Sequence, residues 1–177
     1  MTCNEFSERI ESMIQTLYRV SYSQLEQACD RDDAVGECLL KAWQKRHQLK
    51  DERYMQTWVI RILINECFNI REKKKRELFL EDMGNGEVSD QVNHDTALLR
   101  SPVLTQQTAP PGADTELHDM LINLEESLRL PIILHYIEGY TVKEIARILE
   151  IKQGTVKSRM SRGREKLREI IELSVES

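Results

Sequence analysis

Apolar residues recur at helical spacing from about residue 5 to 80, stop, and resume from Thr115 to Ser177. The interruption holds GNGEVSDQVNHD and SPVLTQQTAPPGAD, where most of the turn and breaker residues fall. Such stretches end helices rather than continue them. Pro110-Pro111-Gly112 adds a local stiff bend to a segment that otherwise reads as a flexible tether. Val and Thr alternate with polar residues over no useful length, so strands are not expected. The expected fold is all-α: two small helical domains, residues 1–80 and 116–177, joined by a flexible linker over 81–115. No internal repeat is evident.

Charge divides the chain at the same places. The net charge is −5, yet ten acids stand against one base, Arg100, between Glu81 and Glu126. The neighbouring stretches, 71-REKKKR-76 and 152–168, are strongly basic. The acidic total therefore hides two cationic patches, and the distribution informs where the sum misleads.

Several function classes drop out early. The chain is 40% hydrophobic and 31% charged, the profile of a soluble helical protein. No apolar run approaches the ~20 residues of a membrane span, since Arg61 and Asn65 interrupt the best candidate. MTCNEFSERIES is charged and lacks the apolar centre of a signal peptide. A cytoplasmic location is expected. Cys3, Cys29, Cys38 and Cys67 form no Cys-x-x-Cys pair, and His47, His94, His118 and His135 are scattered. Cys38 and Cys67 sit within apolar helical patterns, where packing is the expected role. No metal, cofactor or catalytic cluster is expected, and an enzyme is not.

The C-terminal cations are the first positive clue. Between Lys152 and Arg168 seven bases (Lys152, Lys157, Arg159, Arg162, Arg164, Lys166, Arg168) face one acid, Glu165. At 100° per residue Val156, Met160, Gly163 and Leu167 make a narrow apolar stripe. Lys157, Ser158, Ser161, Arg162, Glu165 and Arg168 lie opposite. Upstream, 141-TVKEIARIL-149 reads as a short amphipathic helix with Ile145, Ala146 and Leu149 inward, Thr141 as N-cap and Glu144 three residues on. A tight connection, Glu150 to Gln153, completes a helix-turn-helix pattern whose second helix suits a DNA major groove. A solvated helix face would mix signs to gain i, i+4 pairs; this one does not.

In 57-TWVIRILINECFNIREKKKR-76, Val59, Ile60, Leu63, Cys67 and Ile70 mark a core face. Trp58, Ile62, Asn65, Asn69 and Arg61 fall elsewhere. An aromatic grouped with Asn and Arg suits stacking on an unpaired base; burial of Trp58 against a neighbouring helix is equally open. Before it, Asp30, Asp33 and Glu37 form an acidic row that Leu40 continues and Trp43 follows. That row suits docking on a basic protein, or plain solvation.

Together these blocks resemble the extracytoplasmic-function (ECF) group of sigma-70 family factors of bacterial RNA polymerase. DRDDAVGECLLKAW is similar to that family's region 2.2, YMQTWVIRILINECFNIREKKKR to regions 2.3 and 2.4, and EGYTVKEIARILEIKQGTVKSRMSRGREKLRE to region 4. The resemblance implies a promoter-specificity subunit. Asp30, Asp33, Glu37, Leu40 and Lys41 would dock on core polymerase. Arg53, Tyr54, Trp58, Arg61, Asn65, Lys73, Lys74 and Lys75 would open and hold the minus-ten element, its non-template strand melted. Thr155, Lys157, Ser158, Arg159, Ser161, Arg162 and Arg164 would read the minus-thirty-five duplex. It also implies an anti-sigma partner, typically membrane-anchored, which would hold the factor at the membrane.

Three departures from the family pattern stand out. Gly36 replaces the usual Gln before the region 2.2 acid. Glu150 replaces the usual turn Gly and must adopt a left-handed backbone or reshape the turn. Leu124-Glu125-Glu126 stands where Leu-Pro-Glu is common. The competing classes are a stand-alone operator-binding regulator and a nucleic-acid enzyme. The first lacks an obvious dimer seam, the second a recognisable constellation.

Overall fold

The computed structural model describes the backbone of residues 2–83 and 120–175, with side chains over 2–79 and 120–173. Most of the expected linker, with its Pro-Pro-Gly bend, lies outside the described residues. Among the described residues every regular element is helical.

The first unit holds α1 (Cys3–Tyr22), α2 (Ala28–Lys45) and α3 (Met55–Met83). Single 3₁₀ turns at Arg46–Gln48 and Glu52–Tyr54 bridge α2 to α3. A capping box starts α1: Thr2 Oγ1 accepts from the Glu5 amide at 3.3 Å, and Glu5 Oε2 accepts from the Thr2 amide at 2.7 Å. The three helices close on Leu17, Val20, Ala34, Val35, Cys38, Ala42, Val59, Ile60, Leu63 and Cys67, all buried. Each large aliphatic there contributes about 1.5–3 kcal/mol through burial. α3 continues to Met83, beyond residue 80.

Burial accounts for the cysteines. The Cys38 and Cys67 thiols are pushed up to about 12 by desolvation, whereas Cys3 and Cys29 are exposed. The thiolate is the reacting species. At pH 8, therefore, an alkylating reagent should label Cys3 and Cys29 in the native chain and all four after denaturation, as read by intact mass. Labelling of Cys38 or Cys67 at a comparable rate would contradict this core.

The second unit begins with α4 (Glu126–Ile132), which widens into a π turn over Ile133–Ile137. Pro131 lies inside α4, buried and without an amide to donate. The following backbone bonds reach one residue further than usual, with the Glu138 amide donating to the Ile133 carbonyl at 3.1 Å. Gly139, at φ 75°, ends the turn. Then come α5 (Val142–Ile148) and α6 (Gln153–Val175).

The Thr141–Glu144 capping box expected from the sequence is present, with Glu144 Oε2 accepting from the Thr141 amide at 2.8 Å. α5 ends in a Schellman bond from the Ile151 amide to the Ala146 carbonyl at 3.1 Å. This leaves Glu150 at φ 54°. Of the two expected outcomes at that turn the left-handed one holds, at about 1–2 kcal/mol. At the third departure, Arg129 folds back to cap the Leu124 carbonyl at 2.8 Å. α2 runs unbroken through Gly36, where a Cβ would meet nothing within 4 Å.

The two units touch. One apolar cluster takes in Leu17, Val59, Ile60 and Leu63 from the first and Leu134, Ile145, Ile148, Val156 and Met160 from the second. A smaller cluster of Leu121, Leu124, Ile132 and Ile133, with Leu167 and Ile170 against it, fixes α4 on α6.

Candidate nucleic-acid interface

The helical wheel of α6 corresponds to its observed faces. Val156, Met160 and Gly163 are buried and Leu167 half-buried, so one side is anchored. Lys157, Ser158, Ser161, Arg162, Glu165 and Arg168 are exposed on the other. Thr155 and Arg159 are half-buried beside them, and Arg164 donates to the Tyr136 hydroxyl at 2.8 Å. Ser158 turns its hydroxyl onto the Thr155 carbonyl at 3.0 Å. This keeps the rim of the face low enough for close approach to a groove.

The second surface combines the start of α3 with the turns before it. Arg53 is exposed, and Asp51 holds it by its backbone amide and a forked pair at 2.8–3.2 Å. The Arg53 guanidinium and amide keep the Asp51 carboxyl below the usual carboxylate range. Tyr54 and Arg61 are exposed, Asn65 likewise, while Trp58 is half-buried with part of its ring against the main cluster. Trp58 is thus neither wholly core nor wholly platform. Tyr54, Thr57, Trp58 and Arg61 line an open cavity of about 740 Å³ whose other wall is Arg147 and Glu150 of the second unit.

Two side chains at that wall escaped the sequence reading. Arg147 lies over the Tyr54 ring at 4.6 Å, and Glu150 Oε1 pairs with Arg61 at 2.6 Å. Only Glu150's departure from the family pattern gave a hint.

Along α2, Asp33, Glu37 and Leu40 are exposed. Trp43 joins them with Arg46 stacked on its ring at 4.2 Å. The other members of this set are engaged inside the first unit. Lys41 pairs with Glu66, which raises the lysine's pKa through that hydrogen bond, and Asp30 pairs with Lys74. The REKKKR run is therefore split: Lys74 is tied to α2, whereas Lys73 and Lys75 face solvent. Lys73 makes only a loose 3.9 Å pair with Glu77.

These features define a class, a helical DNA-reading protein whose helix-turn-helix is paired with a separate aromatic and cationic surface. Comparison with known proteins gives the family. The family model described as Sigma-70 region 2 matches residues 10–77, and that described as Sigma-70, region 4 matches 114–167. The ECF RNA polymerase sigma-E factor of Haemophilus influenzae is 30% identical over 138 residues, 77% of this chain and 71% of the relative. The ECF RNA polymerase sigma factor SigW of Bacillus subtilis is 26% identical over 167 residues, 92% of this chain and 87% of the relative.

Two solved structures share the fold. The sigma factor RpoE in complex with the anti-sigma factor NepR, from Bartonella quintana, gives a TM-score of 0.71 at 23% identity, covering 95% of this chain and 97% of that one. CnrH in complex with the cytosolic domain of CnrY gives 0.67 at 19%, covering 97% and 90%. The chain belongs to the ECF group of RNA polymerase sigma factors of the sigma-70 family. Its function is to direct core polymerase to promoters and to start transcription there. Among the described residues no helix is long and apolar enough to cross a membrane.

Proposed function

We propose that the three surfaces divide this work. The exposed row of Asp33, Glu37 and Leu40, with Asp30 and Lys41 behind it, docks on core polymerase. Arg53, Tyr54, Trp58, Arg61 and Asn65, with Lys73, Lys74 and Lys75, open and hold the melted minus-ten strand. α6 reads the minus-thirty-five duplex through Lys157, Ser158, Ser161 and Arg162, flanked by Thr155, Arg159 and Arg164. The observation that carries the reading is α6 itself, where a buried apolar stripe backs an exposed face of cations and hydroxyls. In functional terms residues 1–80 and 116–177 are the two DNA-binding modules and 81–115 their tether. The tether makes two separately weak contacts act together through effective concentration.

The protein acts in the cytoplasm by binding, with no catalysis of its own. An anti-sigma factor is a fitting partner, as the RpoE relative was solved with one, and a membrane-anchored partner would hold the factor at the membrane. The reading is tested by transcription in vitro from a pooled promoter library, with core polymerase alone and with this protein added. New start sites that share two upstream elements support it. Silence, together with tight sequence-specific binding by the protein alone, would assign a stand-alone regulator instead.

The α6 assignment makes its own prediction. Lys157→Ala should weaken binding to every duplex alike and lower the slope of log K against log salt by about 0.9, one released counterion. Arg162→Ala should weaken binding and also relax preference at one position of the duplex element. Salt titrations by fluorescence anisotropy would measure both, and an unchanged slope for Lys157→Ala would remove it from the interface.

A further inference from the structure

The second unit covers the surface assigned above to the melted strand. Its turn residue Glu150 places a carboxylate 2.6 Å from Arg61 Nη2, where a DNA phosphate would otherwise sit. From the same unit Arg147 covers the Tyr54 ring at 4.6 Å, taking a face on which a base would stack. The duplex-reading face of α6 stays exposed. One DNA contact is blocked and the other is left free.

What holds this arrangement lies away from the blocked face. Both members of the Arg61–Glu150 pair are exposed, and such pairs contribute little. Arg19 of α1, by contrast, grips Glu138 with two bonds, at 2.6 and 2.9 Å, and the Glu138 side chain is only 3% exposed. Arg71 makes a forked pair with Glu126. Arg129 donates to the Ser23 carbonyl at 2.7 Å. The shared apolar cluster does the rest.

We infer that the free protein is self-inhibited: Arg19–Glu138 clasps the second unit over the first, and Glu150 occupies Arg61 in place of the melted strand. The inference rests on the assignment of the Tyr54–Trp58–Arg61 surface to that strand. Single-strand capture then requires the units to part, while duplex binding does not. A charge that sits far from DNA becomes a control on DNA binding.

Arg19→Gln gives a test by sign, because losing a cation should weaken binding to any polyanion, whereas losing the clasp should strengthen it. The probe is a fluorescein-labelled single strand, the non-template minus-ten segment of a promoter recovered in the transcription assay. The full chain carries nitroxide labels at native Cys29 and at Glu169→Cys, with Cys3→Ser, so inter-unit distance is read in the same proteins. The expected result is a narrow distance distribution in the parent, a broad and longer one in Arg19→Gln, and probe binding tightened about fivefold or more. Glu150→Gln should tighten binding with little change in distance. Glu172→Gln, which removes an exposed acid near the end of α6 and away from both DNA surfaces, should leave single-strand affinity within about twofold, and a gain equal to that of Glu150→Gln would reduce the effect to net charge and overturn the proposal. An unchanged distance with unchanged or weaker binding would overturn the clasp and leave the promoter-reading assignment standing. A widened distance without tighter binding would overturn the proposal through its premise, because the uncovered face would not then be a single-strand site.

Discussion

Trp58→Ala should lower transcription from a duplex promoter by about 5- to 150-fold, and Trp58→Phe should restore most of it. The ring is half-buried, with one part against the main apolar cluster and the rest lining the cavity beside Tyr54 and Arg61. Stacking of one base on an aromatic is worth about 1–3 kcal/mol, which corresponds to that range of output. Phe keeps an aromatic face and loses area, so it separates stacking from mere bulk. Thermal melting of the same variants completes the test. A loss of output that tracks the loss of folded protein at the assay temperature would make Trp58 a support for the turns that bridge α2 to α3. A loss of output at unchanged folding would leave it a platform.

Trp58 also marks where sequence reading stopped being sufficient. Local patterns were legible because local physics writes them. The α6 stripe follows from 3.6 residues per turn and the Thr141–Glu144 box from one side chain reaching three residues along, whereas at Glu150 the sequence left a left-handed backbone and a reshaped turn both open, and the fold chose the first. The Thr2–Glu5 box carries the same signal and was overlooked. Contacts across the fold are another matter. Arg19 meets Glu138 over 119 residues and Arg71 meets Glu126 over 55, and no periodicity encodes such pairs. Nor could composition show that Lys74, one of a run of cations suited to phosphates, pairs instead with Asp30. A basic run reads as one object in sequence, but α3 turns its members 100° apart and gives them different neighbours.

The same reasoning explains why two small helical units were foreseen and their contact was not. Two amphipathic units each have an apolar face to bury, and the sequence shows only that the faces exist. Leu134, Ile145 and Ile148 could have closed on their own unit alone. Here they join Leu17 and Leu63 in one cluster. The choice is made by shape and by a few charges placed at the seam.

Gly163→Leu should lower the melting temperature by about 6–12 °C and abolish duplex reading, while Gly163→Ala stays near the parent. A Cβ at this position would stand 2.4 Å from Ile132 Cδ1 and 3.4 Å from the Leu128 carbonyl oxygen. For alanine the first contact is with the end of a flexible side chain, which can turn aside. The gain of about 1 kcal/mol from replacing a mid-helix glycine then offsets much of the crowding. Leucine adds three more carbons with α4 directly in their way, and overpacking of that kind costs about 3 kcal/mol. For a chain of this size that corresponds to the predicted shift. Because the helix proposed to read duplex is the one displaced from α4, minus-thirty-five binding should be lost while the α1–α3 core stays folded. Calorimetry and anisotropy on both variants would show this. A leucine variant that melts with the parent would mean that α4 and α6 do not approach as closely as the glycine allows, and the anchored stripe on which the reading face depends would have to be redrawn.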